Sequence, residues 1–117
     1  MDQNELKKRT KQFALRILKL TAALPKTDEA RVIRNQLARS GTSVASNYRA
    51  SCRARSRAEF IAKIGTVIEE ADESCFWLEL IVEGEFLPLS KVEALLQEAN
   101  EITAIMTASR KTAEEGK

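Results

Sequence analysis

The chain has 117 residues and no histidine. That absence removes Ser-His-Asp and Cys-His nucleophile pairs, histidine metal sites and the Glu-x-x-His pairs of di-iron carboxylate bundles. Glycine and proline together supply six residues, and aromatics make up 5% of the chain. Too few turn formers remain for a many-stranded β fold, so the composition is that of a helical protein. The two cysteines, Cys52 and Cys75, form no C-x-x-C pair, which speaks against a disulfide framework and for a reduced, cytoplasmic setting. The longest apolar stretch, Cys75 to Val82, is broken by Glu79 and falls far short of a bilayer span. The acidic start Met1-Asp2-Gln3-Asn4-Glu5 lacks the cationic region of a signal peptide. The expectation is one soluble domain over residues 1–117, with no membrane partner and no cofactor.

A formal net charge of +2 conceals a steep internal division. Residues 1–63 carry fifteen Lys/Arg against five Asp/Glu, and residues 64–117 carry four against twelve. Such asymmetry fits a polyanionic partner. It equally fits a basic half lying beside an acidic one, within the chain or between subunits.

Apolar periodicity predicts four helices. Leu6, Phe13, Ile17, Leu20 and Leu24 form one stripe on a helix of about 4–24, stopped by Pro25. Thr27 or Asp28 can cap a second helix of about 28–51, whose stripe is Ile33, Leu37, Gly41, Val44 and Tyr48. Within it Ser40-Gly41-Thr42-Ser43 is weak helix by propensity, but small residues also admit a close neighbour. Ser56 and Glu59 form a capping-box pattern opening a helix of about 57–83, with Gly84 as its stop. Pro88 and a second such pattern, Ser90 with Glu93, open a helix of about 91–112. Four amphipathic helices with short connections make an all-α, antiparallel, up-down-up-down four-helix bundle. In the third helix Phe76, Trp77 and Leu80 point away from the main stripe, which predicts burial on a second side, at a subunit interface or under the fourth helix of the bundle.

The stretches Gln36-Leu37-Ala38-Arg39, Ser43-Val44-Ala45-Ser46-Asn47 and Arg55-Ser56-Arg57-Ala58-Glu59-Phe60 resemble the bacterial four helix bundle protein family. Its members were first noticed as products of intervening sequences within large-subunit ribosomal RNA genes. Leu24-Pro25-Lys26, Glu73, Leu78 and Leu80 also sit where that pattern puts them, and the resemblance spans roughly residues 10–105. One departure stands out: where the family usually has Asn-x-Ala-Glu-Gly, this chain reads Asn47-Tyr48-Arg49-Ala50-Ser51. The resemblance implies a ring-shaped homopentamer without a catalytic centre. Its relatives include the accessory protein of diversity-generating retroelements, a basic pentamer that binds nucleic acid and a reverse transcriptase.

Two charge constellations remain. Arg49, Arg53, Arg55 and Arg57 crowd the turn between the second and third helices, where guanidinium groups can hold phosphates bidentately. Arg9 and Arg16 of the first helix, with its lysines, extend this candidate site for RNA or DNA. Arg57, in the first turn of a helix, meets an unfavourable dipole, a cost that a partner would offset. Opposed to these stand Glu69, Asp72 and Glu73 on one helix face, which repel unless a cation lies alongside. An arginine of another helix or subunit answers that need better than a metal ion. No docking helix or zinc module for base readout is present, and Tyr48 beside Arg49 is the only aromatic placed to stack on a base.

Overall fold

The computed structural model describes residues 1–116; Lys117, the last residue of the expected domain, lies outside the described residues. Helix α1 spans Gln3–Ala22 and opens on a capping box of Asp2 and Glu5, in addition to the two expected at the third and fourth helices. The Asp2 carboxylate accepts from the Glu5 N–H at 2.8 Å, and Glu5 accepts from the Asp2 N–H. The acidic start is therefore a helix cap. The helix stops two residues earlier than predicted, yet Leu24 beyond it stays in the core at 2% exposure.

Helix α2 spans Asp28–Ser51, capped by Thr27, and runs unbroken through Ser40-Gly41-Thr42-Ser43. Ile17 of α1 packs so closely over Gly41 that an added Cβ would lie 2.8 Å from its Cγ2. The glycine is thus the contact point of two helices rather than a break. Helix α3 spans Arg57–Glu83 with Ser56 as its cap, but Glu59 reaches past Ser56 to the backbone N–H of Arg55. At its far end the Phe86 N–H bonds the Ile81 carbonyl and the Glu85 N–H bonds that of Val82, the paired pattern of a Schellman motif. The left-handed residue is Glu85, at φ 61°, not Gly84. Gly84 serves instead as the surface on which the Phe86 ring folds back.

Helix α4 spans Leu89–Glu114, and here the second capping prediction fails. Pro88, with its fixed φ, occupies the cap position and no side chain caps the helix. The helical turn has already begun at Leu89, so Ser90 lies inside it. The last helix is consequently two residues longer at each end than predicted.

Successive helices run antiparallel: Ser40 meets Ser74, Cys75 meets Asn100, and Gly116 stands beside Arg57. α1 packs on α2, α2 on α3 and α3 on α4, whereas the α1–α4 seam is the thinnest and the backbones of the diagonal pairs stay apart. Phe13, Ile17, Leu37, Val44, Ile64, Leu78, Ile102 and Met106 fill the axis of a rod measuring 48 × 21 × 20 Å. Among the described residues there is no strand, and no helix is long and apolar enough to cross a membrane. Both cysteines are free thiols, and burial pushes that of Cys75 up to about 11.

Candidate polyanion interface

Antiparallel packing turns a division between chain halves into a gradient along the rod. One end collects the start of α1, the close of α2, the α2–α3 turn and the close of α4. Lys7, Lys8, Lys11, Arg49, Arg53, Arg55, Arg57, Arg110 and Lys111 therefore converge there. Among the described residues none of these nine has a carboxylate oxygen within 4.0 Å. Two nearby acids, Asp2 and Glu5, are occupied in capping α1. Lys7, Lys8, Lys11 and Arg49 also edge a hollow of about 330 Å³ between α1 and α2, floored by Thr42, Ala45 and Ser46.

Several sequence-predicted residues take other roles. Arg9 does not join the cluster: it forks onto Glu98 of α4 at 2.6 and 2.8 Å and also reaches Glu101. Arg16 lies farther along α1, with Lys19 and Lys91 beside a hollow on the α1–α4 seam. Arg53 lies just beyond the end of α2, which closes at Ser51. Tyr48 is 3% exposed and cannot stack on a base; burial raises its hydroxyl pKa, with the neighbouring Cys52 thiol adding to the effect. Arg57 places its guanidinium beside Gly116, at the carboxyl end of α4. A helix carboxyl end attracts cations, so the dipole cost at α3 is offset within the chain and argues for no partner.

The acidic run divides likewise. Glu70 and Glu73 both accept from Arg39 of α2, Glu70 at 3.1 Å. Glu73 accepts in addition from the Trp77 indole N–H at 3.1 Å. These two bonds, that of Trp77 first, hold the Glu73 carboxyl below the usual carboxylate range. The cation that the sequence demanded for Glu73 is thus intramolecular. Trp77 and Leu80 are half-buried against the core, whereas Phe76 stays 50% exposed with its ring edge-on to Trp77 at 5.0 Å. Among the described residues no group of carboxylates or thiols converges as a metal site requires.

A lowered folded-state pKa stabilises the fold above the unfolded value and loses that contribution as pH falls through the folded one. Glu73→Gln is therefore expected to be less stable than the parent at neutral pH, with the gap closing as the pH falls through and below the ordinary carboxylate range. Urea denaturation followed by circular dichroism across that range measures it. A gap independent of pH would mean that the carboxylate contributes nothing.

Residues 2–108 match the family described as 23S rRNA-intervening sequence protein. The fold also matches the crystal structure of a protein of unknown function from the S23 ribosomal protein family of Bacteroides thetaiotaomicron, with a TM-score of 0.87 and 33% identity. That match covers 95% of this chain and 99% of the other. No curated protein matches the sequence.

Proposed function

Since this chain belongs to the 23S rRNA-intervening sequence protein family, we propose that it works without catalysis, as a cytoplasmic oligomeric scaffold or accessory module that binds nucleic acid through its phosphates. One observation carries the reading: the fold brings Arg49, Arg53, Arg55 and Arg57 to one end with the α1 lysines, Arg110 and Lys111, and leaves them without ion-pair partners among the described residues. Guanidinium groups on a turn and at helix ends suit a flexible phosphate backbone. With Tyr48 buried, neither stacking nor base readout adds sequence preference, and RNA and DNA differ little as ligands. The assembly is a homopentameric ring, as the resemblance implies. A reverse transcriptase is the protein partner implied in the same way. The absence of histidine supports a role without an imidazole-activated nucleophile.

Filter retention of labelled RNA and DNA over a salt series tests the binding. Affinity should fall steeply with salt, and Arg53→Ala/Arg55→Ala should abolish retention while helicity and assembly persist. Each lost phosphate contact flattens the logarithmic salt slope by about 0.7–0.9. Absence of retention at low salt defeats the reading. If the double variant instead dissolves the oligomer, the arginines serve subunit contacts, and the protein is a purely structural or protein-binding assembly.

A further inference from the structure

We propose that the outer face of α3 docks, head to tail, onto the α1–α2 face of a second copy of this chain. The inference rests on the oligomeric reading above and specifies the surfaces that meet. On α3, Glu69, Asp72, Phe76, Glu79 and Glu83 recur at spacings of three and four, and all five are exposed. Phe76 is the one apolar member, and Trp77 braces it from the side while Trp77 is itself tied to Glu73. The ring is held outward, inside an acidic border.

The opposite side of the rod carries the complement. Along α1, Lys8, Lys11, Leu15 and Leu18 repeat the same spacing and are all exposed, the two leucines at 49% and 43%. The hollow between α1 and α2 adjoins the two lysines. α1 and α3 stand on the diagonal of the bundle with their backbones apart, and no ion pair joins the acidic stripe to the basic stripe of its own chain among the described residues. Both helices run in the same direction; on α1 the two lysines precede the two leucines, and on α3 Glu69 and Asp72 precede Phe76 while Glu79 and Glu83 follow it. In the proposed contact Glu69 and Asp72 face Lys8 and Lys11 of the second copy, and Phe76 faces Leu15 and Leu18.

A two-fold arrangement that paired α3 with α3 would set acidic rows against each other, which is repulsive. Nucleic acid would suit the lysines but leave the leucines in water and the α3 stripe without a role. A second copy satisfies both stripes; Lys8 and Lys11 then serve the subunit contact, and Arg53 and Arg55 on the bundle end stay open to phosphates.

A complementation experiment with the full chain decides it. Phe76→Asp removes the α3 face, and Lys11→Glu/Leu15→Asp removes the α1 face; every changed residue is exposed. By light scattering at micromolar concentration the parent should be oligomeric and each variant monomeric. A one-to-one mixture of the two variants should give a dimer, because one intact pair of faces survives. Variants that keep the parent mass, or a mixture that stays monomeric, overturn the docking scheme while the oligomeric reading stands. A monomeric parent overturns both. If a variant loses helicity, Lys8→Glu/Lys11→Glu combined with Glu69→Lys/Asp72→Lys in one chain replaces it. Assembly of that chain beyond either reversal by itself supports the pairing, and its failure to assemble refutes it.

Discussion

Gly41→Ala will lower stability by about 1–3 kcal/mol, although alanine is the better helix former by roughly 1 kcal/mol. The new methyl group would stand 2.8 and 2.9 Å from the two γ-carbons of Ile17 and 3.0 Å from its Cβ. Ile17 is completely buried, and its branch point is not the free end of a flexible chain. Relief must come from a shift of α1 against α2, and overpacking of that kind costs more than propensity returns. Thermal and urea denaturation measure the loss. The companion variant Ile17→Ala, which leaves a cavity, should by itself cost about 2–5 kcal/mol. In the double variant the two changes should partly cancel, because alanine at 17 vacates the space that alanine at 41 needs. Simple additivity in that cycle would show that the two residues do not share the contact.

The second large effect belongs to Arg9. α1 and α4 share the thinnest seam of the bundle, and Arg9 spans it, with a two-pronged contact to Glu98 and a further bond to Glu101. The side chains of Arg9 and Glu98 are 24% and 16% exposed, between the exposed pairs worth under about 1 kcal/mol and the buried ones whose disruption costs about 3–5 kcal/mol. Arg9→Ala should therefore destabilise by about 1–2 kcal/mol, largely because Glu98 is left half-buried without its cation. Arg9→Lys keeps the charge but loses the fork, and should recover only part of the deficit. Hydrogen exchange should locate the loosening in α1 and α4 while the α2–α3 interface keeps its protection. Uniform loss of protection, or a variant as stable as the parent, would rule out this clamp.

The bundle was legible in the sequence because its signals are local. A stripe such as Ile33, Leu37, Val44 and Tyr48 already states which side of a helix is dry, and all four are buried. Thr27 and Ser56 act as caps, as expected, since an oxygen three residues before an N–H depends on nothing distant. The failures have equally physical causes. The Ser90 pattern has the right residues, but Pro88 sets the helix start earlier. Asp2 and Glu5 have the capping-box spacing, but their acidic character at the start of the chain also fits the absence of a targeting signal, so composition does not single out the cap.

The candidate site was far less legible, because charge acts across space and the spatial neighbours are distant in sequence. The arginine cluster at 49–57 was visible as a run, but Arg110 and Lys111 join it only through antiparallel packing. Arg9 looked like its extension until Glu98, 89 positions away, proved to hold it. Glu73 looked like a group awaiting a partner, and Arg39 supplies one. Among the acids and apolar residues put forward for a subunit contact, Phe76 is the large apolar group that the fold leaves exposed, a distinction invisible in a list of neighbours.

Missing histidine, scarce glycine and the 3.6-residue rhythm were enough to decide a helical bundle and to exclude the chemistry that needs imidazole. Periodicity encodes which face of each helix is buried, so element type and length are settled within a few residues of chain. Which charges cancel, which end of the rod is basic, and which stripe faces outward were decided only by folding. Electrostatic energy depends on separation and exposure, and both arise when four helices are set antiparallel around one core.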